Sequence, residues 1–150
     1  MEPFVYQSQP QRIVFGSGTL AATGEEVTRL GCSRAMVLST PQQEGSADAL
    51  AAALGSLCAG VFSKAAAHTP IAVTDDALAA TRRLAADCLV SLGGGSTTGL
   101  GKAIALRTDL PQIAIPTTYA GSEATPILGE TADGRKITQR SPKILPEVVL

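Results

Sequence analysis

Short apolar runs alternate along the chain with stretches whose apolar residues recur at helical spacing. Arg12-Ile13-Val14-Phe15 reads as a strand turned by Gly16-Ser17-Gly18. Thr19 to Leu30 reads as a helix, with Leu20, Val27 and Leu30 near one face and Gly31 suited to the position after its last turn. Ala35-Met36-Val37-Leu38 is apolar without interruption, as a strand buried on both faces should be, and it stops at Ser39-Thr40-Pro41. A helix over Ser46 to Leu57 follows, with Ser46 as its N-cap, then a short strand at Gly60-Val61-Phe62. Thr69 and Pro70 suit the N-cap and first position of a helix reaching to about Ala86. Cys88 to Leu92 is a strand, Gly93-Gly94-Gly95-Ser96 a turn, and Thr97 to Leu106 a helix. Gln112 to Ile115 is the next strand, ending at Pro116-Thr117-Thr118. The rhythm then changes: Ile127 to Thr138 predicts a β-hairpin turning at Ala132-Asp133-Gly134-Arg135. Val148-Val149-Leu150 begins a last strand, and a protein ending there is expected to be one half of a longer one. Strands alternating with helices imply βαβ units, a parallel sheet and right-handed crossovers.

Composition narrows the class. The chain has 150 residues, 45% hydrophobic and 17% charged, which is a globular balance and a single-domain length. A net charge of −1 with no basic run, and no Trp, argue against a nucleic-acid binder. No apolar run reaches the roughly 18 residues that span a bilayer. Met1 to Ser17 is polar and shows no apolar signal-peptide region, and three cysteines that read as reduced fit a cytoplasmic protein. Cys32, Cys58 and Cys88 are far apart in apolar surroundings and read as reduced core thiols. One histidine and no Cys-x-x-Cys pair leave no metal site expected within this chain.

Candidate chemistry lies at the strand ends. Gly93 to Ser96 follows a buried strand and opens a helix, where glycines let a phosphate approach and amides point at it. The turn is neither G-x-G-x-x-G nor a P-loop, and as a sequence feature it also suits an ordinary structural turn. Pro116 to Glu123 occupies the corresponding position after the next strand, where Thr117 and Thr118 suit either a nucleotide or local capping. At the end of the first long strand, where an acidic residue often holds a ribose 2′-hydroxyl, stands Thr40, and the nearest acid is Glu44. A 2′-phosphate would meet no carboxylate there. His68 precedes a helix start and no G-x-S-x-G elbow accompanies it. Lys136 follows the hairpin turn, as a solvated lysine or as a cofactor contact.

Together these segments resemble the iron-containing alcohol dehydrogenase superfamily. Its pattern G-G-G-S-x-x-D-x-A-K is matched by Gly93 to Lys102, and its P-T-T and G-S-E segments by Pro116-Thr117-Thr118 and Gly121-Ser122-Glu123. The family's Asp and Ala in the first pattern are Gly99 and Gly101 here, its acid at the first strand end is Thr40, and its Asn-Pro-Thr reads His68-Thr69-Pro70. These departures resemble the branch that reduces the carbon–carbon double bond of maleylacetate to 3-oxoadipate with NADH or NADPH, in bacterial breakdown of aromatic and chloroaromatic compounds. The resemblance implies a Rossmann-like parallel sheet flanked by helices, with residues 1–150 as the dinucleotide-binding domain and the family's helical second domain absent. It places the pyrophosphate on Gly94, Gly95 and Ser96, the adenine and ribose beside Thr117 and Thr118, and the adenosine ribose near Thr40. Ser122 and Lys136 fall toward the nicotinamide, and His68 on the substrate side as the candidate catalytic residue. It implies a homodimer, a dicarboxylate substrate, and no turnover by these residues alone. Two other readings are an iron-type dehydrogenase of another small alcohol or aldehyde, and a non-catalytic nucleotide-binding module associating through an exposed edge at Val148-Val149-Leu150.

Overall fold

A computed structural model describes residues 10–150, so most of the polar segment before Gln11 lies outside it. In chain order the elements are β1 (Arg12–Ile13), α1 (Thr23–Arg29), β2 (Ala35–Leu38), α2 (Glu44–Leu54), β3 (Cys58–Phe62), α3 (Ile71–Arg83), β4 (Cys88–Gly93), α4 (Gly95–Thr108), β5 (Gln112–Pro116), the hairpin β6 (Ile127–Ala132) and β7 (Arg135–Arg140), and β8 (Val148–Val149). Six strands form one parallel sheet in the order β1-β8-β5-β4-β2-β3, and the hairpin stands apart.

Side chains alternate across this sheet and build two cores. Ala35, Val37, Cys88, Val90, Leu92, Ile113 and Ile115 pack with Val27 of α1 and Leu50 and Leu54 of α2. Met36, Leu38 and Leu89 pack on the other face with Ala77 and Leu78 of α3 and Leu100 and Ile104 of α4. Both faces of β2 and β4 are therefore dry, which explains why their sequences are apolar apart from Ser91. The crossover through α2 runs outward from β2 to β3. The next, through α3, returns past β2 to β4. Because each crossover is right-handed, that reversal puts α2 and α3 on opposite faces. The reversal also makes the carboxyl ends of β2 and β4 the topological switch point, where such sheets bind ligands.

Element boundaries depart from the sequence pattern where turn chemistry intervenes. Thr19 to Leu30 is a 3-10 turn (Thr19–Ala22) followed by α1, with Gly31 left-handed after it. Ser46 is not an N-cap: a Pro41–Gln43 3-10 turn leads directly into α2, which starts two residues earlier, and Gly55 at φ 55° ends it before Leu57. Strand β3 starts at Cys58, two residues before the sequence pattern suggests. Thr69 is not the cap of α3 either. Thr69 lies at φ 44°, and Pro70, extended at ψ 137° and bridged to Thr131, takes the cap position. Helix α3 stops at Arg83 because Ala85 turns left-handed and the Ala86 amide closes back on the Thr81 carbonyl at 3.0 Å. Helix α4 starts two residues before Thr97, on Gly95, and runs past Leu106 to Thr108. Strand β8 is no exposed edge: it pairs with β5 on one side and β1 on the other, and Val148 is buried. The outer strand is β1, shorter than its apolar run, and Phe15 beyond it is exposed. Cys88 is a buried thiol and Cys32 and Cys58 are half-buried; none is in a disulfide.

The hairpin turns at Asp133 and Gly134, both left-handed, as a two-residue turn matching strand twist requires. Its inner face carries Leu128, packed on Ala103 and Ile144, and Glu130, which is 1% exposed. Glu130 accepts from Thr74 of α3 at 3.2 Å and pairs with Arg107 of α4 at 3.1 Å through both guanidinium nitrogens. This one carboxylate fastens the hairpin to two helices. Glu130→Ala should lower stability by about 2 kcal/mol, read as a lower urea midpoint with an unchanged slope.

Candidate functional site

The two glycine- and threonine-containing segments meet at the switch point. Strand β4 ends in Gly93 at φ 155°, a conformation side-chain-bearing residues rarely adopt. The Thr117 amide donates to the Gly93 carbonyl at 3.0 Å, which draws the end of β5 against the turn. A Cβ at Gly93 would lie 2.4 Å from Thr97 Oγ1 and 2.7 Å from Gln43 Oε1, and one at Gly94 would lie 3.0 Å from Thr118 Oγ1. Glycine at both positions lets the turn pass this close to the Thr97, Gln43 and Thr118 side chains.

Helix α4 begins directly behind this turn. The Gly94 carbonyl accepts from the Thr97 and Thr98 amides at 3.1 Å each, and the amides of Gly95 and Ser96 precede the first helical bond and have no partner among the described residues. Thr97 Oγ1 is buried and has no hydrogen-bond partner among the described residues, and the same holds for Ser39 Oγ at the carboxyl end of β2. Unpartnered amides at the positive end of a 14-residue helix, behind a turn of three glycines, suit an anion such as a diphosphate.

The remaining candidate residues are distributed around this centre. Thr40 is half-buried just past β2, and its carbonyl accepts from the Gln43 amide at 3.0 Å. Thr117 and Thr118 are exposed just past β5 and form part of one wall of a cavity of about 460 Å³, with Ile13 and Phe15 among the other lining residues. Ser122 opens a 3-10 turn (Ser122–Ala124) whose carbonyl and hydroxyl accept from Lys102. His68 is exposed and left-handed at φ 63°, in a turn held by its neighbour: Thr69 is buried, its carbonyl accepts from Thr131 at 3.1 Å, and its hydroxyl rests on Gly99 of α4. Helix α4 therefore gathers the glycine turn, the Ser122 loop and the His68 turn around its first half. Lys136 is farther out, on an exposed strand, with its side chain lying across Gly129.

Two departures from the family pattern acquire a reason here. A Cβ at Gly99 would come within 2.6 Å of Thr69 Oγ1, and one at Gly101 within 2.4 Å of Ser91 Oγ. Glycine at both positions lets α4 lie closer to β4 and to the His68-Thr69 turn than an Asp or Ala would.

Sequence reasoning missed Gln43, Thr97 and Lys102. Gln43 Nε2 donates to Thr117 Oγ1 at 3.0 Å across the crevice, a contact spanning 74 residues that no local pattern announces. Lys102 did leave a signal. It sits in a run from Thr97 to Ala105 of small and apolar residues, all buried, so its ammonium has to be buried as well. That ammonium donates to the carbonyls of Ser122, Thr125 (2.7 Å) and Ile127 (3.0 Å). Burial lowers its pKa to about 8, opposed by the charge of Glu123. At the opposite end of the sheet, ligand atoms of Cys32, Asp87 and Cys88 lie within 4.8 Å of one another. Both Asp87 oxygens there already accept amide hydrogens, from Ser33 and Arg34, and burial pushes the Cys88 thiol well above its ordinary value.

The sequence profile of iron-containing alcohol dehydrogenases matches residues 10–150, and the chain belongs to that family. Among its relatives is the maleylacetate reductase of Rhizobium sp. (strain MTP-10005), 68% identical over 100% of this chain and 43% of the relative. The maleylacetate reductase of Sphingobium indicum is 55% identical over 98% of the chain and 42% of the relative. The crystal structure of maleylacetate reductase from Agrobacterium tumefaciens superposes with a TM-score of 0.95 at 68% identity, over 99% of this chain and 43% of that one. The chain thus spans less than half the length of the relatives it matches.

Proposed function

We propose that residues 1–150 are the dinucleotide-binding domain of a cytoplasmic, homodimeric maleylacetate reductase, which reduces the double bond of maleylacetate to give 3-oxoadipate during breakdown of aromatic and chloroaromatic compounds. The observation that carries the cofactor assignment is the glycine turn at Gly93-Gly94-Gly95 at the topological switch point, with the unpartnered Gly95 and Ser96 amides of α4 beside it. The substrate comes from the relatives at 68% and 55% identity, whose names state that activity.

In this reading NADH or NADPH, when bound, would supply a hydride to one carbon of the conjugated double bond, and a proton from solvent would complete the reduction at the neighbouring carbon. The chain's own task is binding and orientation. Gly94, Gly95 and Ser96 hold the pyrophosphate against the positive end of α4. Thr117 and Thr118 flank the adenine and ribose beside the 460 Å³ cavity. Thr40 lies by the adenosine ribose and offers no carboxylate to repel a 2′-phosphate, so either dinucleotide fits. Ser122, held by Lys102, and Lys136 serve the nicotinamide half. His68 faces substrate from its strained turn. The two carboxylates of maleylacetate need cationic partners, which the remainder of the longer protein supplies.

Titration calorimetry on the full-length protein tests this. NADH and NADPH should each bind at about micromolar strength, within roughly tenfold of each other, and be oxidised only when maleylacetate is present. The 150-residue chain alone should show no turnover. Failure of both dinucleotides to bind the full-length protein would overturn the assignment, and a preference for NADH of about 100-fold or more would overturn the role of Thr40.

A further inference from the structure

We infer that Gln43 is a positioning residue for the dinucleotide, acting through the hydroxyl of Thr117; the inference rests on the cofactor reading above. Gln43 closes the 3-10 turn that carries the chain from β2 into α2, with its amide on the Thr40 carbonyl at 3.0 Å. From there its side chain reaches the two other strand ends around the switch point. Its Nε2 donates to Thr117 Oγ1 beyond β5 at 3.0 Å, and its Oε1 faces Gly93 at the end of β4, on the spot a Cβ would occupy. One half-buried amide thus spans the crevice where the ligand lies.

The donor direction gives the contact its consequence. A threonine hydroxyl has one hydrogen and two acceptor sites. Because Thr117 Oγ1 accepts from Gln43, its own hydrogen is left to donate to a ligand oxygen. Thr117 is exposed, so that hydrogen is accessible from solvent. A hydroxyl oriented in advance loses less freedom when it binds a phosphate or ribose oxygen, and a hydrogen bond to a charged oxygen is among the stronger ones. Gln43 Oε1 and Thr97 Oγ1 both crowd the side of Gly93 where a Cβ would stand, so the Gln43 side chain also packs against the turn. It touches no reacting atom in this arrangement, and its effect belongs to binding alone.

The test uses the full-length protein, with NADH and ADP as probes, and three variants: Gln43→Leu, Thr117→Val and the double replacement. Gln43→Leu should weaken both NADH and ADP about tenfold and raise the KM for NADH by the same factor, with kcat changed less than about twofold. Because Gln43 acts through Thr117, the double variant should bind no more weakly than the weaker single variant. Gln43→Glu, which keeps the shape but puts a carboxylate beside the diphosphate, should weaken ADP further than Gln43→Leu does. Thermal unfolding within a few degrees of the parent shows that a variant is folded; if Gln43→Leu is not, Gln43→Glu carries the comparison. Parent-like ADP binding by a folded variant, additive losses in the double variant, or a fall in kcat at unchanged KM would each overturn the proposal. Failure of the parent protein to bind NADH would instead overturn the cofactor reading itself.

Discussion

Gly93→Ala should remove most dinucleotide binding and cost the fold stability as well. The added Cβ falls 2.4 Å from Thr97 Oγ1, far inside contact distance. Thr97 is fully buried in the first turn of α4 and branched at Cβ, so its hydroxyl cannot swing away as a long side chain would. The second close atom, Gln43 Oε1 at 2.7 Å, ends a longer side chain and can move, but its movement breaks the bond to Thr117. The backbone adds to the strain, since φ 155° is rarely adopted by any residue but glycine. Strain of this kind is worth about 1–3 kcal/mol. The turn responds by shifting away from α4, and the Gly95 and Ser96 amides then no longer aim where a diphosphate would lie. NADH affinity of the full-length protein should fall at least about 30-fold, with a thermal midpoint lower by several degrees. Gly94→Ala is the milder comparison, because its Cβ would meet Thr118 Oγ1 at 3.0 Å and Thr118 is exposed and free to adjust. Equal losses from the two replacements would show that the turn is not held as described.

What the sequence discloses and what it hides follow from the range of the interactions. Strands β2 and β4 are legible because burial on both faces leaves no polar position in them beyond Ser91. The hairpin is legible because Asp133-Gly134 can take two left-handed conformations in succession and few other pairs can. Helix starts are less legible. At α3, Thr69-Pro70 has the composition of an N-cap and first turn, yet the bridge of Pro70 to Thr131 in the distant hairpin draws Pro70 into an extended conformation and moves the start by one residue. The place of β8 was hidden for the same reason: an apolar triplet at a chain end looks like an edge until two partners, one of them 136 residues earlier, are known to flank it. In the site, glycines and threonines announce themselves by type and position. Gln43 does not, because its role is a contact between strand ends. The family motif ends on Lys102 without giving it a role, and only packing shows that its charge is turned into the protein.

Lys102→Met should lower turnover of the full-length protein far more than its global stability. The ammonium is fully buried and holds three carbonyls of the Ser122–Ile127 segment together with the hydroxyls of Ser122 and Thr125 (3.2 and 3.3 Å). Methionine fills the space and donates nothing. Two terms then oppose. Carbonyls that lose a charged donor cost about 1–3 kcal/mol each, reduced here because the half-exposed segment can admit water. Against that, the parent bears the cost of burying a charge: a pKa lowered from 10.5 to about 8 corresponds to roughly 3 kcal/mol at neutral pH. The balance leaves unfolding free energy within about 2 kcal/mol of the parent. Local order has no such compensation, so hydrogen exchange over residues 122–127 should accelerate more than about tenfold, and turnover of the full-length protein should fall by about 100-fold. The pH dependence separates the two terms. Folded Lys102 releases its proton near pH 8 and an unfolded lysine near 10.5, so between those values the unfolded chain binds more protons. Stability contributed by this residue therefore rises with pH across that window, after a penalty fully present below pH 8. Over the same window the neutral amine keeps only two hydrogens for three carbonyls, and activity should decline. Parent protein measured between pH 8 and 10 should thus become relatively more stable than Lys102→Met while losing its own turnover; a parent whose stability relative to the variant falls over that range would contradict the lowered proton affinity of the buried Lys102.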